Sequence, residues 1–120
     1  MKTILTCLSL FAIDGDTVEC DGQRVRLLGD GVPNVRGIDT PETWKPNCQR
    51  ELQWGLAAKD RTKELLRAPG VKVEDSGERD RYGRILGAVR LPDGRTVGGV
   101  LLSEGLAAEW RPGYRADWCG

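Results

Sequence analysis

Two short acidic segments, residues 14–17 (D-G-D-T) and 39–42 (D-T-P-E), contain the side chains best suited to chemistry in this sequence. Each follows an apolar stretch, which places its acids at the end of a predicted strand. If the two strands are neighbours, Asp16, Asp39 and Glu42 can converge on one hard cation, because Ca²⁺ and Mg²⁺ both prefer oxygen ligands. The alternative is simple turn chemistry, in which Asp, Gly and Pro are common. For either segment alone that alternative is preferred, whereas the presence of both favours a site.

A third segment, residues 80–84 (D-R-Y-G-R), lies directly before a predicted strand. Arg81 and Arg84 carry planar guanidinium groups that match the geometry of phosphate oxygens. Between them, Tyr82 can stack on a nucleic-acid base. A solvated basic loop is the alternative, and for this segment taken alone it is the preferred interpretation.

The sequence contains no histidine, which restricts the mechanisms that these residues can support. Ser-His-Asp catalysis, Cys-His catalysis and histidine-ligated zinc are excluded, so acid–base chemistry falls to Asp, Glu, Lys, Tyr or Arg. Eighteen basic and eighteen acidic residues give a formal net charge of zero. A broad attraction to the phosphate backbone is therefore not expected, although a local group of arginines remains compatible with nucleic-acid binding.

The elements that must position these segments are mainly strands. The first is a single apolar run, and the next two flank Asp21-Gly22, which is a strong two-residue hairpin signal. Alternation of apolar and polar residues predicts two more strands in the second half of the chain. The predicted strands are residues 2–13, 16–20, 24–28, 71–75 and 85–91.

Two helices complete the predicted architecture. Residues 50–67 form the main helix, from a cap region at Asn47 to Pro69-Gly70, and residues 97–104 form a short second helix that ends at Gly105. The main helix has a small-to-apolar stripe at helical spacing, formed by Gly55, Ala58, Thr62 and Leu65. We expect one α+β domain, residues 1–120. Its core is predicted to be a five-stranded Greek-key barrel of the oligonucleotide-binding (OB) type.

The four cysteines, Cys7, Cys20, Cys48 and Cys119, have no C-x-x-C spacing, so a zinc site is not expected. An even number allows two disulfides, and Cys7–Cys20 with Cys48–Cys119 is one of three possible pairings. Four small buried thiols are an equally good interpretation.

The N-terminal residues 1–13 superficially resemble a signal peptide, with one lysine before an apolar run. Cleavage after Ala12 would leave almost nothing before the first acidic segment, so a buried first strand is the better interpretation. We therefore favour a cytoplasmic over a secreted location. No segment approaches the length needed to span a membrane.

Five motifs occur in order along the chain: D-G-D-T, R-L-L-G, I-D-T-P-E, D-R-Y-G-R and E-G-L-A, with the main helix between the third and the fourth. Over roughly residues 10–112, this ordered set resembles the staphylococcal nuclease (thermonuclease) family. The resemblance implies an OB-type barrel with a Ca²⁺-dependent phosphodiesterase site. It further implies cleavage of DNA, RNA or both to leave 3′-phosphate ends.

The resemblance also implies roles for individual acids. By motif position, Asp16 and Asp39 match the carboxylates that bind the metal, and the main-chain carbonyl of Thr40 matches the third protein ligand. Glu42 matches the carboxylate that acts as general base or positions the attacking water. Ca²⁺ is the implied cofactor, and Mg²⁺ is the alternative.

The resemblance implies roles for basic residues as well, and one of these roles has two candidate residues. Arg84 matches a phosphate-binding arginine and Tyr82 a tyrosine near the bound nucleotide, while Arg81 is expected to contact nucleic acid beside them. Arg26, in R-L-L-G, is assigned as the second catalytic arginine. The chain departs from the family here, because residues 30–37 intervene before I-D-T-P-E. If this insertion replaces the strand instead of looping out, Arg36 supplies the arginine.

The expected partner is single-stranded or locally melted DNA or RNA, bound by a monomer that makes no membrane contact. The main alternative is a nucleic-acid-binding module with weak or no catalysis, since some members of the wider family keep the barrel and lose catalytic residues. A small secreted structural domain held by two disulfides is a third possibility, but it does not explain the ordered motifs.

Overall fold

The chain alternates short strands with two helices. The structure is a computed structural model and describes residues 3–29, 37–110 and 116–119. Within these ranges the helices are α1 (Gln49–Leu66) and α2 (Val97–Ser103). The strands are β1 (Thr3–Leu5), β2 (Leu10–Asp14), β3 (Thr17–Cys20), β4 (Gln23–Leu27), β5 (Ile38–Asp39), β6 (Lys72–Arg79), β7 (Ile85–Arg90) and β8 (Ala108–Glu109).

The predicted first strand is divided into two strands, β1 and β2, and this division allows the sheet to curl into a barrel. Residues 2–13 were expected to form one strand, but the chain bends between β1 and β2, where the Asp21 carboxylate accepts hydrogen bonds from the amides of Leu8 (3.0 Å) and Ser9 (2.7 Å). The main sheet has the order β1-β6-β7-β4-β3-β2, so the two consecutive segments lie at its opposite edges. The sheet must therefore curl on itself. The sheet has six strands instead of the predicted five, because one predicted strand became two.

With β1 and β2 taken as halves of one bent strand, the order corresponds to the predicted five-stranded barrel, and the α+β OB-type fold is confirmed. β4 and β7 pair in parallel, and the other neighbours pair antiparallel. The predicted hairpin is also confirmed: Asp21 (φ 49°) and Gly22 (φ 87°) both occupy the left-handed region that a tight two-residue turn requires. β5 and β8 form a separate two-stranded sheet.

The core lies inside the curled sheet and is capped by α2. Its fully buried members are mainly branched aliphatic side chains, namely Val18, Val25, Leu27, Ile38, Val73, Val89, Val97, Val100 and Leu101. The predicted stripe of α1 is buried as well. The N-cap of α1 is Cys48 and not the neighbouring Asn47. The Cys48 Sγ accepts a hydrogen bond from the amide of Glu51 (3.3 Å).

The strand β6 extends four residues beyond its predicted end at residue 75. Its second half is polar, so the alternation that marks a strand is lost there. The β6–β7 register shifts between Asp75 and Arg79, and Gly77 within this irregularity has φ 89°. A glycine is suited to this bulge because it has no Cβ to oppose a positive φ.

All four cysteines are paired, as Cys7–Cys20 and Cys48–Cys119. The first bridge joins the bend after β1 to the end of β3. The second joins the N-cap of α1 to the segment 116–119. Neither α1 nor α2, the helices of the described ranges, is long and apolar enough to cross a membrane.

The two bridges are expected to differ in their effect on stability. In the chain-entropy account, a bridge that closes a longer loop restricts the unfolded chain more. The sequence separations are 13 and 71 residues, so the Cys48→Ser/Cys119→Ser protein should lose about 1.5 kcal/mol more than the Cys7→Ser/Cys20→Ser protein. Urea unfolding of the two variants measures this difference. A larger loss for the Cys7–Cys20 pair would contradict it.

Candidate active site

The first acidic turn is pinned beneath helix α1. The hydroxyl Oγ1 of Thr62 donates a hydrogen bond to the carbonyl of Gly15 (2.8 Å). A Cβ atom at Gly15 would lie 2.8 Å from the Cβ of Ala58, so no larger residue fits at this position. The contact between α1 and the turn therefore fixes the backbone that carries Asp16.

Asp16 joins the two acidic segments through a hydrogen bond with the backbone of the second. Asp16 is only 5% exposed. Its carboxylate accepts hydrogen bonds from Thr17 Oγ1 (3.0 Å) and from the amide of Thr40 (3.3 Å). Arg26 Nη1 lies 2.5 Å from the Asp16 carboxylate, and Arg26 Nη2 donates to the carbonyl of Ile38 (2.9 Å). The Arg26 side chain thus bridges the turn before β3, at Asp16, to β5, which contains Asp39.

The second acidic segment is pressed onto the same helix. A Cβ atom at Gly55 would lie 2.7 Å from the carbonyl oxygen of Pro41 and 3.1 Å from that of Glu42. At the other end of the segment, Thr43 Oγ1 donates to the Asp14 carboxylate (2.5 Å). Helix α1 is consequently the common support for both acidic segments.

An acidic pocket of about 230 Å³ lies against the second acidic segment. Its walls include Asp39, Thr40, Glu42 and Arg26. Asp16 is not among the lining residues and lies behind Thr40 and Arg26, with which it is in contact. The remaining lining residues are Asn47, Glu51, Trp110, Ala116 and Trp118.

Glu42 stands in a strongly negative environment. Its side chain reaches solvent, but partial burial raises the pKa of its carboxyl group above 4.5, and the nearby charges of Asp16 and Asp39 raise it further. An acid with a raised pKa holds its proton more readily, which is the property of a group poised for proton transfer.

Among the described ranges, no group of three or more Cys, Asp or Glu side chains converges as a complete metal cluster. The available oxygen atoms are therefore two predicted carboxylates, Asp16 and Asp39, and the oxygens of Thr40. The Thr40 hydroxyl is buried without a hydrogen-bond partner in the described structure. These oxygen atoms have the donor chemistry that a hard cation prefers.

Glu51 is a site residue that the sequence analysis missed. It is 4% exposed, and its carboxylate accepts hydrogen bonds from the amides of Asn47 (2.6 Å) and Glu42 (3.4 Å). A signal was present, because Glu51 extends the buried stripe of α1 by one turn before Gly55. An acidic residue on an otherwise small and apolar face indicates a buried polar role.

A larger cleft of about 670 Å³ adjoins the acidic pocket and is named the basic cleft for its three arginines, although Glu78, Asp80 and several apolar residues line it as well. Arg26 and Trp110 line both cavities, so the two cavities meet at these residues. The predicted residues Arg81, Tyr82 and Arg84 all line this cleft. The structure thus brings the D-R-Y-G-R segment to the acidic segments through Arg26.

Arg84 is held in place by its own loop. The Asp80 carboxylate accepts hydrogen bonds from Arg84 Nε (2.7 Å) and from the amides of Tyr82 and Arg84 (2.9 Å each). Although partial burial acts in the opposite direction, these bonds lower the pKa of Asp80 below 3.8. Asp80 therefore stays ionised and orients the Arg84 guanidinium.

Tyr82 lies between two cations. The guanidinium carbons of Arg81 and Arg84 are 4.9 and 5.5 Å from the centre of its ring, and the ring itself is exposed. Trp110 is 52% exposed and lines both cavities. Arg36 and the rest of residues 30–36 lie outside the described ranges.

Replacing Glu51 should destabilise the fold. A glutamine offers one oxygen in place of two, so one of the two amides now bound by Glu51 would face an NH₂ group. An unsatisfied buried polar group costs about 1–3 kcal/mol, and this loss is expected for Glu51→Gln in urea unfolding. Glu64→Gln is the matched control, because that side chain on the same helix is exposed. Equal stability of the two variants would contradict the buried role of Glu51.

Replacing Glu42, in contrast, should stabilise the fold at pH 7. Because the folded state raises the pKa of Glu42, the folded chain binds this proton more tightly than the unfolded chain, and stability is lost as the pH rises above 4.5. Glu42→Gln removes that loss, so without divalent cations it should unfold at a higher temperature than wild type at pH 7. The difference should disappear as the pH falls below 4.5. A variant less stable than wild type at pH 7 would refute this interpretation.

Comparison with known proteins places the chain in a family. Residues 34–117, more than half of the chain, match the family described as staphylococcal nuclease homologue. This match includes Asp39, Thr40, Glu42 and Arg84, while Asp16 and Arg26 precede it.

Individual relatives cover more of the chain. The thermonuclease of Staphylococcus hyicus is 41% identical over 108 residues, which cover 86% of this chain and 59% of that protein. The SPbeta prophage-derived endonuclease YokF of Bacillus subtilis (strain 168) is 45% identical, over 80% of this chain and 31% of its own length. Endonuclease YncB of the same organism is 43% identical, over 80% and 44%. The chain thus spans between 31% and 59% of the length of these relatives, and by sequence it belongs to the staphylococcal nuclease homologue family.

Proposed function

We propose that this protein is a metal-dependent nuclease that hydrolyses phosphodiester bonds in DNA, RNA or both. The observation that carries the proposal is the contact of Asp16 with Arg26 and Thr40, which joins both acidic segments to an arginine-lined cleft. Family membership and the printed names of the relatives, endonuclease and thermonuclease, support the same conclusion.

The acids fit a Ca²⁺ requirement. Asp16, Asp39 and the Thr40 carbonyl would hold the ion, and Mg²⁺ is the alternative that the same oxygen donors allow. When bound, the cation would neutralise charge on a phosphate oxygen. The ion pair from Arg26 lets the Asp16 carboxylate remain buried while no cation is near it, because an unpaired buried charge is costly.

Glu42 is the proposed general base. It lines the acidic pocket together with Arg26 and Asp39, and it is open to solvent. Its carboxylate would orient a water molecule and take up the proton that the water loses as it attacks phosphorus. The raised pKa of Glu42 favours this step, since the proton acceptor is then more basic.

The two arginines are proposed to bind the phosphate. Arg26 stands where the two cavities meet, and Arg84 lines the basic cleft with its guanidinium braced by Asp80. Guanidinium groups already held in position stabilise the negative charge that builds on the oxygens during attack, without any cost of reorientation. We expect products with 3′-phosphate ends.

The preferred substrate is a single-stranded or locally melted segment, bound by a monomer. Tyr82 and Trp110 present exposed aromatic rings on the walls of the basic cleft. Such rings stack on bases that are free of a duplex partner. Arg81 beside Tyr82 would contact the nucleic acid through its charge.

A catalytically weak nucleic-acid-binding module is the second candidate. One observation favours it: both terminal nitrogens of Arg26 are engaged, one by Asp16 and one by the carbonyl of Ile38. An arginine bound in this way has fewer N–H groups left to donate to a phosphate, unless a cation displaces it from Asp16. Measurement of turnover separates the two candidates.

Cleavage of single-stranded DNA is expected to require Ca²⁺ and Glu42. Loss of a general base typically lowers the rate by about 10²–10⁴-fold, and Glu42→Gln should lose activity in this range while it still binds the DNA. Glu51→Gln is unsuitable as the control because it is buried in the same pocket, so Glu64→Gln on α1 serves instead. Binding without cleavage by the wild type would support the second candidate, and a fully active Glu42→Gln would refute the assignment of the base.

Arg84 and Arg81 should differ in their effects on turnover. Removal of one preorganised donor costs about 10²–10³-fold in kcat, and this loss is expected for Arg84→Ala. Arg81 is exposed and has no brace comparable to Asp80, so Arg81→Ala should mainly raise KM and reduce its salt dependence. Steady-state kinetics at two salt concentrations distinguish the two. Equal losses of kcat would show that the Asp80 brace has no catalytic role.

A further inference from the structure

The acidic pocket has a wall that the proposed chemistry does not use. Trp118 lines the pocket on the same cavity surface as Asp39 and Glu42. It comes from the segment 116–119, far along the chain from the catalytic motifs, and the Cys48–Cys119 bridge attaches this segment to the start of α1. The bridge thus holds an aromatic side chain beside the proposed scissile bond.

Trp118 is part of a small aromatic and cationic group. Its ring meets that of Trp54 edge to face, with the ring centres 5.4 Å apart. The guanidinium carbon of Arg50 lies 5.2 Å from the centre of the Trp54 ring. Both tryptophans are partly exposed and Arg50 is exposed, so the group presents an aromatic surface with a positive charge beside it.

The position of this group suits a bound strand. The basic cleft of about 670 Å³ has room for a nucleotide and lies on one side of Arg26 and Trp110. The acidic pocket on the other side is only about 230 Å³. A strand with its phosphate at Arg26 can leave the acidic pocket along the wall that Trp118 helps to form.

We propose that Trp118, Trp54 and Arg50 form a second nucleotide-binding subsite, which takes the nucleotide on the far side of the scissile phosphate from the basic cleft. This inference rests on the proposed nuclease function. The base of that nucleotide stacks on the tryptophan surface, and Arg50 attracts its outer phosphate. The Cys48–Cys119 bridge is the positioning element, because it fixes Trp118 against Trp54.

The subsite predicts a dependence on substrate length. A deoxynucleoside monophosphate fills the basic cleft and the scissile position, whereas a single-stranded hexadeoxynucleotide also reaches the second subsite. Affinity is measured for both ligands in Ca²⁺, in a Glu42→Gln background that prevents cleavage. Trp118→Ala should weaken the hexanucleotide about tenfold, in the range for loss of one stacked base, and leave the mononucleotide unchanged.

Two matched controls separate this role from general damage to the fold. Trp44→Ala removes a tryptophan that is 75% exposed and lines neither cavity, and it should change neither affinity. Cys48→Ser/Cys119→Ser should reproduce the length-dependent loss, while Cys7→Ser/Cys20→Ser should not.

An unchanged hexanucleotide affinity in Trp118→Ala would overturn the subsite, and so would an equal loss for the mononucleotide and the hexanucleotide, which would indicate a purely structural residue. If the parent binds neither ligand and the wild type cleaves no nucleic acid, the proposed function itself fails. Wild-type cleavage together with an unaffected Trp118→Ala would reject the second subsite alone.

Discussion

The buried Asp16 carboxylate is the interaction on which the rest of the site depends. It accepts hydrogen bonds from the amide of Thr40 and from the Thr17 hydroxyl, and it pairs with Arg26. Each partner belongs to a different part of the site: the second acidic segment, the hairpin and the junction of the two cavities. A buried carboxylate is costly unless it is fully bonded, so folding requires these parts to come together.

Helix α1 holds these parts of the site in a fixed geometry. Its small residues Gly55 and Ala58 allow both acidic segments to approach within van der Waals contact, and Thr62 and Glu51 bond directly to their backbones or to the adjoining loop. One face of α1 thus provides both the small residues that allow close approach and the polar side chains that bind the approaching backbone. The negative potential at Glu42 follows from this crowding, because the acids cannot move apart.

Much of this arrangement could be predicted from the sequence where the determinants are local. The Asp21-Gly22 hairpin and the α1 stripe depend on backbone preference and periodicity over a few residues. The bend after β1 could not be predicted, because it is stabilised by the Asp21 carboxylate from 12–13 residues away. Glu51 lies one turn before the predicted stripe and was not included in it, although an acid on a small and apolar helix face indicates a buried polar role. The cysteine pairing remained open among three combinations until the fold brought the partners together.

The central claim is that the acidic pocket and the basic cleft act as one metal-dependent phosphodiesterase site. The most direct test is to incubate the wild-type protein with end-labelled single-stranded DNA, with Ca²⁺ or with chelator, and to identify the termini of the products. The account predicts fragments with 3′-phosphate ends in Ca²⁺ and intact DNA in chelator. Cleavage that persists in chelator, or fragments that carry 5′-phosphate ends, would contradict it.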